Sequence, residues 1–136
     1  MKNKRGFTLL EVLAVIIVLA IASIVATPMI NRAIVNARME LYINGTYGVA
    51  RTAEHYIARK ILDEEEFERN ENFIDELNLS DDQFTDGEVI VTDENRVLVA
   101  LQYGPNCFIK RREVVKVIEP EDFTTCDTSL IEIHFD

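Results

Sequence analysis

Residues Phe7 to Ile30, reading FTLLEVLAVIIVLAIASIVATPMI, carry a single charge, Glu11. As a helix rising about 1.5 Å per residue this run is roughly 36 Å long, enough to cross the hydrocarbon core of a bilayer. The preceding MKNKRG holds Lys2, Lys4 and Arg5. Such a basic leader predicts a cytoplasmic N-terminus, with the remainder of the chain beyond the membrane. An ordinary secretory signal has a shorter apolar core followed by a small-residue cleavage site, whereas here the small residue, Gly6, precedes the apolar run.

That order of parts resembles the class III signal of type IV prepilins and pseudopilins: a basic leader ending in glycine, then Phe, Thr, Leu, Leu and Glu, then a long apolar run. The matching positions are Gly6 as last leader residue, Phe7 as first mature residue, Glu11 as the single acid of the apolar helix, and Pro28 further along it. The resemblance is close over the first thirty residues and architectural beyond them. It implies cleavage after Gly6 by a membrane-embedded prepilin peptidase, which also methylates the new amine of Phe7. It further implies assembly into a filament with other copies and other pilins through a pilus assembly platform. In the family, the acid matching Glu11 pairs with the N-terminal amine of an adjacent subunit. The expected location is the cytoplasmic membrane as a single pass before assembly and a fibre at the cell surface afterwards.

Glu11 argues the same way from its own chemistry. A carboxylate within an apolar span costs several kcal/mol unless it is paired. Cleavage after Gly6 would free an amine four residues away, one helical turn on the same side. The bland alternative is an acid near a helix end that snorkels to the interface. For Gly6 it is a flexible linker before a signal anchor.

Beyond a leader at 1–6 and a transmembrane or assembly helix at 7–30, roughly a hundred residues remain, enough for one small domain at 31–136. Hydrophobic residues make up 48% of the chain, yet mean hydropathy is only +0.02, so the greasy N-terminus is balanced by a polar remainder. Net charge is −10 overall. Residues 1–6 carry +3 and residues 7–38 carry +1, which leaves −14 on residues 39–136. So acidic a domain repels a phosphate backbone, and direct nucleic-acid binding is not expected. Solubility of a surface domain accounts for the acidity.

After Pro28 the helix is expected to continue to about Leu62. Ile30, Ile34, Ala37, Leu41, Ala50, Ala53, Ile57 and Ile61 recur mostly every three or four residues, the stripe of an amphipathic helix. Pro28 removes a backbone hydrogen bond, and Thr27 or Ser23 is available to satisfy the freed groups. Gly45 and Gly48 weaken the rod by about 1 kcal/mol each against alanine. Asp63 to Leu79 reads as a short imperfect helix or a helical loop with its acids in the first turn. From Glu88 the period becomes two. EVIVTD and RVLVALQY form a hairpin, CFIKRREVVKVIE follows Gly104–Pro105–Asn106, and SLIEIHF, Ser129 to Phe135, is a last strand candidate. The fold class is α+β: a long N-terminal helix of about 7–62 packed on a small antiparallel sheet of three to four strands. Neither layer can bury its apolar residues alone, and the pilin resemblance implies the same arrangement.

Cys107 and Cys126 lie on the extracytoplasmic side, where a disulfide is favoured. Two free thiols and half of a metal site are the competing readings, disfavoured because no histidine or cysteine lies at ligand spacing. Asp81, Asp82, Asp86 and Glu88 are a weak calcium candidate, since some pseudopilins bind calcium in their C-terminal domain. Their spacing departs from the EF-hand pattern, and a solvated loop is the alternative. No other cofactor or metal is expected. His55 and His134 sit in no catalytic pattern, and the chain reads as a substrate of the peptidase, not an enzyme. Met29, Met39, Tyr42 and Tyr47 read as packing residues. Lys110, Arg111 and Arg112, the one basic cluster of the domain, read as a solvated strand edge or as counter-charge for a neighbour's acidic surface. A membrane-anchored monomer that captures a cationic ligand or calcium is the rival from another functional class.

Overall fold

Leu9–Leu62 forms one 54-residue helix, α1, in the computed structural model, which describes residues 6–80 and 84–135. Two compact units divide at Met39 and Glu40. In the first unit the apolar run dictates helix, and Pro28 lies inside it. The hydroxyls near Pro28 do not serve the carbonyl it frees. Ser23 donates to Leu19 O at 2.8 Å and Thr27 to Ser23 O at 2.7 Å. A helical hydroxyl reaches the carbonyl four residues back, and the residue four beyond Ile24 is the proline itself.

The second unit begins with the rear of α1. Its buried face is Thr46, Val49, Ala50, Ala53 and Ile57, flanked by Tyr42. Leu41 and Ile61 have the right spacing but are exposed, so the buried stripe is rotated from the one the aliphatic residues suggest. Tyr42 moves it, stacking on Tyr103 at 4.7 Å between centroids and meeting Phe108 edge-on at 5.8 Å. The helix runs through Gly45 and Gly48 without interruption.

At its end α1 closes in a Schellman motif. Glu65 N–H donates to Lys60 O at 3.0 Å and Glu64 N–H to Ile61 O at 3.3 Å, with Glu64 left-handed at φ 55°. Of the two expected forms, residues 63–79 take the helical loop and not a regular helix. They run irregularly to a 3-10 turn at Ile74–Leu77 and cover the outer edge of the sheet. Asn70 N–H donates to Val91 O at 2.8 Å and Phe73 N–H to Val89 O at 3.0 Å, while Asn72 Oδ1 accepts from Val89 N–H at 2.9 Å. A bare edge strand offers a row of unpaired amides and carbonyls, and here the preceding loop satisfies several of them.

The sheet is an antiparallel meander, β1 (Asp86–Val91), β2 (Val97–Tyr103), β3 (Asn106–Arg111) and β4 (Val114–Ile118), in spatial order β1-β2-β3-β4. The fourth strand comes from the run after Asn106, which folds back on itself at Arg112 and Glu113. SLIEIHF is instead a helix, α2 (Ser129–His134). The strand reading needs Ile131, Ile133 and Phe135 on one face, yet Ile133 is 69% exposed while Leu130 and Ile131 are buried. Period two on the β-strands sorts residues by face. Tyr103 and Phe108 meet Tyr42 of α1 with Leu101 on their face, whereas Ala100, Cys107 and Ile109 pack with Ile118, Cys126, Leu130 and Ile131 beneath α2. The chain is therefore α+β and pilin-like, with the helix on one face of a four-stranded sheet and the C-terminal segment closing the other.

Candidate functional site

Thr8 precedes the first helical residue, and Glu11 stands three positions on. Thr8 N–H donates to Glu11 Oε2 at 2.9 Å, and Glu11 N–H donates to Thr8 Oγ1 at 3.3 Å. That reciprocal pair is a capping box, which satisfies two amide groups that a helix start otherwise leaves open. Thr8 Oγ1 also donates to the same Oε2 at 3.3 Å. Both contacts to the carboxylate use Oε2, so among the described residues Oε1 keeps its accepting capacity. The T-x-x-E spacing carries the signal for this box, whereas the sequence reading of Glu11 rested on the freed Phe7 amine as its partner.

Gly6 and Phe7 lie before the helix in irregular backbone, with Phe7 88% exposed and nothing within 4 Å of the place a Gly6 side chain would occupy. A protease needs such an open, accessible peptide. Behind it the helix is apolar on all sides. Leu9, Leu10, Leu13, Ile16, Ile17, Leu19 and Ile24 are each more than half exposed, and Pro28 sits on the same bare surface. α1 is the one helix, among the described residues, long and apolar enough to cross a membrane, and none of that span is buried within the chain.

The other candidates are placed in the second unit. Cys107 on β3 and Cys126 are bridged, Sγ to Sγ 2.02 Å and Cα to Cα 5.5 Å, tying the C-terminal segment to the sheet. Of the calcium candidates, Asp81 and Asp82 lie outside the described residues. Asp86 Oδ1 accepts from Gly87 N–H at 2.8 Å. Glu88 Oε2 accepts both the N–H and the hydroxyl of Thr128 at 2.7 Å, a structural use that anchors α2. Among the described residues no group of three or more His, Cys, Asp or Glu is placed to hold a metal ion. His55 is exposed on α1, and His134 ends α2, where its carbonyl accepts from Lys116. Tyr47 donates to Glu113 O at 2.7 Å, and Tyr42 belongs to the core ring cluster, while Met29 is 70% exposed.

The basic run does not stay together. Lys110 is buried, its ammonium donating to Arg112 O and lying 5.9 Å from the Tyr47 ring centroid, while Arg112 is exposed at the turn with φ 56°.

A cavity of about 730 Å³ opens between the end of α1 and the loop that follows it. Tyr56, Phe67 and Phe73 supply rings, with Tyr56 stacked on Phe73 at 5.7 Å, and five glutamates face two cations around the rim. Tyr56 donates to Glu76, which pushes the phenol pKa up. Lys60 pairs with Glu65 and is shifted up by that bond. The Glu71 pKa is raised because its protonated carboxyl donates to the Glu68 carboxylate, whose like charge also disfavours ionisation.

Residues 1–27 match the prokaryotic N-terminal methylation motif. No curated protein and no solved structure matches the chain. The motif ends just before Pro28 and takes in Gly6, Phe7, the capping box and most of the bare apolar helix. The chain thus bears, ahead of a pilin-like α+β unit, the N-terminal signature of type IV pilin-like and pseudopilin proteins.

Proposed function

We propose that this chain is the structural subunit of a type IV pilus or pilus-like filament. It is made as a precursor, cut between Gly6 and Phe7 by a prepilin peptidase, methylated on the new Phe7 amine and polymerised through α1. The observation that carries this reading is a bare apolar helix holding one acid at its first turn. Such a helix needs lipid around it and later the same segment of neighbouring subunits. Both surroundings are apolar, so moving from one to the other changes little hydrophobic exposure.

Glu11 has the opposite requirement, because its charge is costly there without a partner. Cleavage supplies one. The freed amine of Phe7 on a neighbouring copy approaches Oε1 while Oε2 keeps the helix start capped. Pairing of this kind fixes axial register, since only one stagger of the helices satisfies every acid. Before assembly the chain is a single-pass membrane protein with its N-terminus in the cytoplasm, and afterwards it stands in a fibre outside. Pili and the pseudopili of secretion or DNA-uptake systems share these steps, and the acidity of the outer unit argues against direct contact with DNA.

The test is made in cells that carry a prepilin peptidase and an assembly platform. Mass spectrometry of the mature chain is expected to give N-methylated Phe7 as its first residue, and Glu11→Val to leave the chain in the membrane without filaments. A different N-terminus would overturn the processing. Wild-type filament yield from Glu11→Val would overturn the pairing, and absence of filaments from the wild-type chain would favour the membrane-anchored monomer.

A further inference from the structure

We propose that the aromatic-walled cavity at the end of α1 receives the Arg112 turn of a second copy of this chain, a head-to-tail contact between outer units. The inference rests on the filament reading and gives the outer units their own register. The cavity offers what an arginine side chain needs. Its rings Tyr56, Phe67 and Phe73 suit a flat guanidinium, and Glu68 and Glu71 at the rim supply carboxylate acceptors. The molecule already uses this pairing internally, with Arg69 lying 5.3 Å from the Phe67 centroid.

The donor is built as carefully as the acceptor. Arg112 adopts φ 56°, a conformation that glycine would take at less cost, and the turn is held there by two fastenings. Lys110 donates to Arg112 O, and Tyr47 donates to Glu113 O at 2.7 Å. A side chain on so fixed a turn loses little further freedom when it docks. The second unit is strongly acidic, and three of its cations are consecutive here, Lys110, Arg111 and Arg112, with Glu113 the one acid of the turn.

Placement makes the contact one between copies. The turn is fastened at the level of Tyr47 and the cavity lies at Tyr56 to Lys60, up to about 20 Å further along α1. The two also flank opposite edges of the sheet. The cavity loop bonds β1, and the turn joins β3 to β4, roughly three strand spacings or 14 Å away. Complementary patches on opposite edges of the sheet, with β2 and β3 between them, do not meet within one chain, and they form a heterologous interface, which repeats into an open helical array when it does not close.

The test uses the full chain in cells that assemble it, with a benzophenone amino acid replacing Phe67. Irradiation is expected to give an adduct of twice the chain mass whose cross-linked peptide contains Arg112. Arg112→Glu is expected to lower that adduct about fivefold, and Glu68→Lys with Glu71→Lys on the same chain to restore it within about twofold, as expected for exposed ion pairs. Filaments that give no adduct, an adduct elsewhere on the chain, or capture of another protein would overturn the docking and leave the filament reading standing. An Arg112 adduct from a chain that forms no filament would support the docking and refute the filament. Should Arg112→Glu fail to accumulate, the mapped adduct of the chain with an intact turn decides alone.

Discussion

Glu11 has one carboxylate and two claims on it. Its Oε2 caps the first turn of α1, while the proposed assembly asks Oε1 for a neighbour's ammonium. The two uses cooperate, because the cap fixes the direction in which the acid presents its remaining lone pairs. Tyr103 shows the opposite case, a polar atom with no role found for it. It is 2% exposed, and among the described residues its hydroxyl makes no well-formed hydrogen bond, the proton of the adjacent Thr46 being committed to Tyr42 O at 2.9 Å. Burial pushes the Tyr103 pKa above its ordinary 10.0, with Thr46 opposing the shift. The folded state therefore holds this proton to higher pH than the unfolded chain. The corresponding stability is complete below pH 10.0 and is lost as pH rises through the raised folded value. Tyr103→Phe is expected to unfold within about 1 kcal/mol of wild type at neutral pH and to gain on it above pH 10, read by denaturant unfolding of the full chain in detergent at several pH values. A gap that stays constant across that range would refute the assignment.

At the scale of elements, sequence period served well where one face of an element decided its burial and failed where partners did. β1 and β2 announced themselves by β-branched alternation between turn residues, and the end of α1 at Leu62 followed from its periodicity. The stop itself was less visible, since the left-handed position of the Schellman motif is Glu64 where glycine is usual. Glu64→Gly is accordingly expected to stabilise the chain by about 0.5–1 kcal/mol, measured as a rise in denaturation midpoint at unchanged slope. The loop after it has no period because its work is done by single groups. Asn72 accepts from Val89 N–H and from Ile74 N–H at 3.2 Å, closing the β1 edge. Asn72→Ala is expected to cost about 1–3 kcal/mol by leaving a part-buried amide unpaired, and to speed hydrogen exchange at Val89. SLIEIHF misled for the same reason. Its letters alternate as a strand would, but the bridge at Cys126 and the bonds from Thr128 to Glu88 bring it in over Ala100 and Ile109 as a helix.

For the whole molecule, the disulfide ties the C-terminal segment to a sheet that α1 alone would leave half covered. Its two ends are 19 residues apart, and losing it with Cys107→Ser and Cys126→Ser together is expected to cost about 3 kcal/mol. Loss of near-ultraviolet signal and of protease resistance in the outer unit would report it, while membrane insertion of the first unit stays unchanged, since no residue of that unit takes part. The sequence by itself determined the membrane-length helix, the order of leader, glycine and acid, the α+β class and the excess of negative charge. All of these are properties of contiguous residues, read from local chemistry. Only the tertiary structure decided which face of α1 is buried, that residues 63–79 guard a strand edge, that the last segment is helical, and that an acidic cavity and a fastened arginine turn flank opposite edges of the sheet. Those depend on partners distant along the chain, whose contacts no local pattern records.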